Sequence, residues 1–191
     1  MLDSPLVGRC HPAITGPAPS ERCRQNSEPS LPQLSLHTPV GDLTLSEEDG
    51  DIVALDWGWG RDQSETPALV EARRQLQCYF DGEHADFNLR LAPFGTAYRR
   101  RVWQALIEIP AGEVRTYGQL AAIAGGSARS VGTAMATNPI PILIPCHRVV
   151  ASNGPGGYSG GDGLPTKHFL LALEKRLAGH SSTHQTRLEL I

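Results

Sequence analysis

The alternation of apolar and polar residues predicts a small antiparallel sheet in the first half of the chain. Apolar residues alternate with polar ones over residues 34–36 and again over 43–45, with a Pro-Val-Gly-Asp turn signal between them. An Asp-Gly-Asp turn then leads into the apolar segment 52–57. This pattern predicts a three-stranded meander, and a further short strand is expected over residues 87–91.

Apolar residues that recur three or four positions apart predict five helices. They are expected at residues 67–80, 98–109, 117–124, 128–138 and 166–178. Thr116 and Gln119 match a capping box at the start of the third helix, and Ser127 can cap the fourth. A Gly-Gly pair separates these two helices and is a stop signal for the first of them. Together they have the outline of a helix-turn-helix.

The second helix of this pair has an unusual outward face. Val131, Ala134 and Met135 form its inward face. The outward face carries three small residues and one arginine, at Arg129, Gly132, Thr133 and Ala136. A base-reading helix normally carries longer polar side chains. This face instead suits a close approach to the minor groove and extrusion of a base, although two packed helices with a small-residue surface remain an alternative.

The order of these elements predicts an α+β protein. Residues 1–32 are rich in Pro and Ser and are expected to form a disordered or loosely packed extension. Residues 33–92 form the sheet domain with its helix, and residues 93–178 form a helical domain. Residues 179–191 are interpreted as a tail. The content of 40% hydrophobic residues in a chain of 191 permits a substantial core.

Charge and cysteine content narrow the function classes. The net charge is −3, but acidic residues outnumber basic ones 15 to 7 through Ala92, whereas basic residues outnumber acidic ones 10 to 5 thereafter. This asymmetry indicates an anionic partner for the second half. No secretory signal or membrane-spanning run is apparent, and the four scattered cysteines favour a reducing compartment. The expected location is the cytoplasm, or the nucleus in a eukaryote.

The segment 144–150 is expected to form a strand, and it places Cys146 and His147 inside an apolar run. A thiolate is the nucleophilic form of cysteine, and an adjacent base is the usual means of generating it. Glu174 lies at the border of the last helical stripe, where its carboxylate can orient His147. The glycine-rich loop after residue 151 is suited to form one wall of a substrate pocket. An inert buried cysteine and an exposed glutamate are the alternatives.

Between about Tyr98 and Arg176 the chain resembles the O6-alkylguanine-DNA alkyltransferases. The matching motifs are Arg-Val-Trp at 101–103, Glu-Val-Arg-Thr-Tyr at 113–117, Ala-Arg-Ser-Val-Gly at 128–132, Asn-Pro at 138–139, Ile-Pro-Cys-His-Arg-Val-Val at 144–150, Gly-Tyr-Ser-Gly-Gly at 157–161 and Leu-Leu-Ala-Leu-Glu at 170–174. The resemblance implies a ribonuclease-H-like first domain and a winged-helix or helix-turn-helix second domain. The first half resembles the family in outline only.

The resemblance also implies a reaction. Cys146 would take an alkyl group, chiefly methyl, from O6 of a guanine flipped out of duplex DNA, with O4-alkylthymine as a further potential substrate. His147, acting through a water and held by Glu174, would take the thiol proton, and Tyr117 would assist the departing guanine. Since the thioether is not hydrolysed, each protein would react once. No cofactor is implied, and the protein is expected to act as a monomer. Some members of the family bind a structural zinc in the first domain, but Cys10, Cys23 and the dispersed histidines lack the spacing of a zinc site, so no metal is expected.

The remaining site residues are carried over on the same basis. Arg129 would fill the gap left by the extruded nucleotide, and Asn138 would tie the recognition helix to the segment of Cys146. The other residues expected to contact DNA are Thr116, Ser127, Ala128 and Gly132. The other residues expected to line the base pocket, beside Asn138, are Met135, Val149, Gly157, Tyr158 and Ser159.

Two other function classes stay open at this point. One is a DNA-damage binder without chemistry, but such proteins replace the nucleophile, whereas Cys146 is present. The other is a cysteine hydrolase that uses Cys146, His147 and Glu174. A hydrolase needs an oxyanion hole and access for water, and it does not account for the helix-turn-helix.

Overall fold

The computed structural model describes residues 31–185, with side chains through residue 179. The extension expected at residues 1–32 therefore lies almost entirely outside the described residues, as does the end of the expected tail. The architecture is α+β, as predicted: a three-stranded antiparallel sheet with a helix precedes a helical second half.

The predicted meander is confirmed. Its strands are β1 (Gln33–Leu36), β2 (Leu43–Glu48) and β3 (Asp51–Trp57), and they pair in the order β1-β2-β3. Leu34 lies opposite Leu45, which lies opposite Leu55 on β3, so leucines from all three strands meet on one face. That face is buried.

Helix α1 (Pro67–Phe80) covers the buried face of this sheet. Its start is defined by Thr66, whose side chain accepts a hydrogen bond from the backbone N–H of Leu69, and by Pro67 in the first turn. Four side chains at helical spacing are buried against the sheet and the second half. They are Leu69, Ala72, Leu76 and Tyr79.

The predicted strand at residues 87–91 is wrong. Leu91 forms a single parallel bridge with Ile52, supported by hydrogen bonds of the Ile52 backbone to its two neighbours. In this parallel register the residues before Leu91 run past the start of β3 at Asp51, so they have no strand to pair with. Residues 87–90 have apolar side chains packed on the core in alternation with exposed polar ones, which explains the strand-like pattern.

The second half contains three short helices around a shared core. They are α2 (Ala97–Ile107), α3 (Tyr117–Ala124) and α4 (Ala128–Ala136). The predicted capping box of Thr116 with Gln119 is present, and Ser127 forms a second one with Ser130. Helix α4 ends at Ala136, two residues before the expected end, because Pro139 disfavours the helical conformation at the residue before it.

The segment of Cys146 was expected to be a strand, and this expectation is wrong. Residues Cys146–Arg148 form one turn of 3₁₀ helix, and only Val149–Val150, strand β5, are extended. Strand β5 pairs in parallel with β4 (Arg115–Thr116), which leads directly into α3. The last helix, α5 (Leu164–Gln185), is longer than the expected 166–178 at both ends. No helix within residues 31–185 is long and apolar enough to cross a membrane.

The two halves share one hydrophobic core among the described residues. The backbone N–H of Leu55, on β3, donates to the carbonyl of Pro139 at 2.9 Å, just before the segment that carries Cys146. The indole of Trp103, on α2, donates to the carbonyl of Ala134 on α4 at 2.9 Å. The sheet and the helices therefore brace the same region of the chain.

Replacing Gly112 by alanine is expected to destabilise the protein by about 2 to 4 kcal/mol. Gly112 has a φ of +81°, and a Cβ there would lie 2.8 Å from the Cβ of Ala178. Gly50 is the matched control, because it has a φ of +82° and a Cβ added to it would meet no atom within 4 Å. Gly50→Ala is expected to cost only about 1 kcal/mol, for backbone strain alone. Equal losses in urea unfolding would contradict the close packing of α5 on Gly112.

Candidate active site

Cys146 lies in the 3₁₀ turn between the apolar segment 140–144 and strand β5. The residue is 6% exposed, and its backbone N–H donates to the carbonyl of Ile144 at 2.8 Å. Burial raises the pKa of the Cys146 thiol, although a hydrogen bond from the Asn138 side chain opposes this. The thiol is therefore protonated at neutral pH and needs a base to react.

The carboxylate of Glu174, which is fully buried on α5, accepts hydrogen bonds from the polar groups next to Cys146. Its Oε1 accepts hydrogen bonds from His147 Nε2 at 2.8 Å and from Arg148 Nη2 at 2.8 Å. Its Oε2 accepts from Arg148 Nε at 2.9 Å and from the backbone N–H of Gly112 at 3.4 Å. Arg148 is thus bidentate, the strong geometry for an arginine–carboxylate pair. The alternative of an exposed surface glutamate is excluded.

These contacts determine the charge of Glu174. Burial by itself raises the pKa of the carboxyl, but the hydrogen bonds from His147 and Arg148 and the positive charge of Arg148 outweigh it and lower the pKa to about 2. The carboxylate is therefore ionised and only accepts, so the proton of His147 lies on Nε2. Its Nδ1 is buried and has no hydrogen-bond partner among the described residues. Burial lowers the pKa of His147, which favours the neutral ring with Nδ1 ready to accept a proton.

A cavity of about 260 Å³ opens beside the thiol. In addition to Cys146, it is lined by six of the predicted site residues and by one further residue of α4. The lining residues are Tyr117, Gly132, Met135, Ala136, Cys146, Gly157, Tyr158 and Ser159. Tyr158 has a buried hydroxyl with no partner among the described residues, and burial raises its pKa. The hydroxyl is a free donor and acceptor at the cavity wall.

Two predicted pocket residues lie beside this cavity but do not line it. Asn138 joins α4 to the segment of Cys146, because its Nδ2 donates to the carbonyl of Ile144 at 2.9 Å and its Oδ1 accepts from the N–H of Ile140. It lines a second, smaller cavity of about 170 Å³ on the side of the sheet, which also reaches Cys146 and Trp57. The side chain of Val149 is buried in the core.

Four of the five predicted DNA-contacting residues lie at the starts of α3 and α4, outside the cavity. Thr116 and Ser127 are the two N-cap residues, and their hydroxyls are engaged with backbone N–H groups. Ala128 and Arg129 form the exposed first turn of α4. Gly132 belongs to both groups, since it is one turn further along α4 and lines the cavity. The outward face of α4 is therefore continuous with the opening towards Cys146.

Three contributors to the site were missed by sequence reasoning. Arg148 sits in a buried run, where a charge requires a partner, and this signal could have revealed the pairing with Glu174. Lys167 is fully buried, and its Nζ donates to the carbonyls of Val149, Pro155 and Gly157, so it clamps the glycine-rich loop onto β5. Tyr79 donates its hydroxyl to Glu174.

One group within the described residues has the donor types of a metal site. Cys78, Glu83 and His84 bring their ligand atoms within 4.8 Å of one another at the end of α1. Glu83 and His84 are exposed, and the Glu83 carboxylate is the main cause of a raised pKa at the Cys78 thiol. The group does not contact Cys146, and it enters none of the chemistry below. Cys10 and Cys23 lie outside the described residues.

Two family models match this chain. The 6-O-methylguanine DNA methyltransferase, DNA binding domain, matches residues 97–176. The 6-O-methylguanine DNA methyltransferase, ribonuclease-like domain, matches residues 34–93. The Cys146 cavity lies in the first range, and the sheet with α1 lies in the second.

Curated relatives and solved structures agree with these matches. The methylated-DNA–protein-cysteine methyltransferase of Methanosarcina barkeri is 42% identical over 151 residues, which are 73% of this chain and 94% of that protein. The constitutive protein of that name from Bacillus subtilis is 42% identical over 155 residues, 74% of this chain and 93% of the relative. The structure of Mycobacterium tuberculosis OGT in complex with DNA has a TM-score of 0.69 at 38% identity, covering 76% of this chain and 93% of that chain.

The buried charge of Glu174 predicts a specific loss of stability in acid. The pKa of the carboxyl is about 2 in the folded protein against 4.5 as its ordinary value. The stabilisation is therefore complete above pH 4.5 and is lost as the pH falls towards 2. Between pH 4.5 and 3, wild type should lose roughly 2 kcal/mol more of its free energy of unfolding than Glu174→Gln. Parallel curves in urea titrations of the two proteins would contradict the ionised state of Glu174.

Proposed function

The chain belongs to the 6-O-methylguanine DNA methyltransferase family, and we propose that Cys146 is the residue that receives the alkyl group. The overall activity is the transfer of a methyl group from methylated DNA to a protein cysteine, the reaction for which the curated relatives are named. The observation that carries the assignment is the buried thiol of Cys146 at the wall of a cavity. The next residue is His147, whose Nε2 is hydrogen-bonded to the buried carboxylate of Glu174.

The reaction begins with removal of the thiol proton. The neutral His147 ring accepts it at Nδ1, through a bridging water, and Glu174 stabilises the resulting imidazolium through Nε2. The thiolate of Cys146 then attacks the alkyl carbon, so that an S–C bond forms as the bond from that carbon to guanine O6 breaks. Lys167, which is close enough to lower the pKa of the thiol, favours the thiolate in the same step.

The electron pair of the broken bond passes to guanine, which must be neutralised as it leaves. Tyr117 lines the cavity at the first turn of α3, and its phenol supplies a hydrogen bond or a proton to the base. The buried hydroxyl of Tyr158 is a second donor towards the same space. Since a thioether is stable to water, the protein is consumed after one transfer.

Entry of the base is assigned to the outward face of α4. Small side chains at Gly132 and Ala136 let the helix lie close to the DNA backbone, and both line the cavity that ends at Cys146. Arg129 is exposed on the preceding turn, where its side chain can occupy the space left by an extruded nucleotide. The N-terminal ends of α3 and α4, with Thr116, Ser127 and Ala128, are assigned to the phosphate backbone.

Replacing Cys146 by alanine is expected to abolish transfer while leaving DNA binding within about threefold of wild type, since the thiol contributes little contact surface. Nucleoside chromatography after incubation with a duplex that contains O6-methylguanine measures the remaining lesion. Gel-shift titration of the same duplex measures binding. Asn88→Ala, an exposed position of the sheet domain, is the control and should behave as wild type. Loss of the lesion with the Cys146→Ala protein would refute the assignment.

Replacing Arg129 by alanine is expected to slow repair of the duplex by about tenfold to a hundredfold, because an emptied position in the stack then has no occupant. Reaction with the free base O6-benzylguanine needs no extrusion and should change by less than about twofold. Arg100→Ala, at an exposed arginine on α2, controls for the loss of one positive charge from the same half of the chain. Equal losses on duplex and free base would remove Arg129 from base extrusion.

A further inference from the structure

Tyr79 connects the ribonuclease-like domain to the proposed catalytic carboxylate. It lies in the last turn of α1, is fully buried, and donates its hydroxyl to Glu174 Oε1 at 3.0 Å. The two residues are 95 positions apart in the sequence. The same oxygen accepts the hydrogen bond from His147 Nε2. Tyr79 and the proposed base, His147, therefore donate to the same oxygen atom.

The direction of this hydrogen bond is defined by charge. Burial raises the pKa of Tyr79 far above its ordinary value, and the negative charge of Glu174 raises it further. The phenol is therefore neutral, and Glu174 is an ionised acceptor. The O–H of Tyr79 therefore points at Oε1 whenever Glu174 is ionised.

The ring of Tyr79 is held independently of its hydroxyl. It packs edge-on against Phe80, with ring centroids 5.2 Å apart, and at a tilt against Phe87, with centroids 5.3 Å apart. These contacts and the core around α1 fix the position of the oxygen before any interaction with Glu174. A phenylalanine at position 79 would keep this packing and remove only the donor.

We propose that Tyr79 is a positioning residue for alkyl transfer, which fixes Glu174 Oε1 against His147 and limits how strongly that oxygen attracts the imidazole proton. The inference rests on the proposed function of His147 as the base. Three donors share Oε1, from Tyr79, His147 and Arg148. When one donor is removed, the charge on this oxygen is less dispersed and it becomes a stronger acceptor for the remaining two.

The consequence is a change in the proton affinity of His147. A stronger acceptor at Oε1 stabilises the imidazolium, so the pKa of His147 rises and less of the ring is neutral at a given pH. The charged and titratable groups that face His147 are Glu174, Arg148 and Lys167, with Cys146 next to it in the chain. Arg148 and Lys167 oppose its protonation. Tyr79, which belongs to the ribonuclease-like domain, also opposes the protonation of His147, because it makes Glu174 Oε1 a weaker acceptor.

The test is Tyr79→Phe, with two readouts over a pH series. On the acid limb of the pH profile, the first-order rate of alkyl transfer from duplex should fall about threefold to tenfold, because that limb should move up by about 0.5 to 1 unit. In histidine-labelled protein, the NMR titration of the His147 ring should move upward by the same amount. The resonance is assigned by its absence in His147→Gln.

Thr44→Val is the matched control for a lost buried hydroxyl in the same domain. Thr44 lies on β2, and its side chain bonds to Ser35 and to the carbonyl of Gly58, without contact to Glu174. It should lower the unfolding temperature while leaving both pH readouts unchanged. A Tyr79→Phe protein that behaves like Thr44→Val would overturn the proposal. If wild type transfers no alkyl group, the proposed function fails, and the NMR titration still decides the effect of Tyr79 on His147.

Discussion

The buried carboxylate of Glu174 is the group on which the rest of the site depends. An unpaired carboxylate in this position would carry a large desolvation penalty. Separate parts of the chain offset it: Tyr79 from the sheet domain, His147 and Arg148 from the 3₁₀ turn, and the backbone of Gly112. Because the carboxylate can be satisfied only when all of them are in place, folding of both halves also assembles the proposed base.

A second constraint is the balance between shielding the thiol from solvent and admitting the DNA base that the proposed reaction requires. Burial keeps Cys146 protonated, yet the proposed function requires the cavity beside it to admit a guanine. The small residues of α4 meet both needs, because they open a path to the thiol without exposing it. The glycine-rich loop on the other side is kept in place by Lys167. These contacts fix the loop through its backbone carbonyls and do not depend on its side chains.

The features that sequence could predict are those encoded locally. The capping box at Thr116, the N-cap at Ser127 and the spacing of the leucines on β1 and β2 depend on neighbouring residues, and the structure contains them. The segments 87–91 and 146–148 have strand-like composition, but whether they pair is decided by a partner strand that local sequence does not specify. The contact of Tyr79 with Glu174 spans 95 residues and depends on how α1 packs against α5. No periodicity encodes such a meeting.

The most direct test of the account is to locate the transferred group. The protein is mixed with excess duplex that carries O6-methylguanine with a trideuterated methyl group. The mass of the intact protein is measured first, and peptide mapping then locates the label. The account predicts one labelled methyl group per protein, confined to the peptide that contains Cys146, with no further turnover. Label on Cys78 or another residue, or repair of more than one lesion per protein, would contradict it.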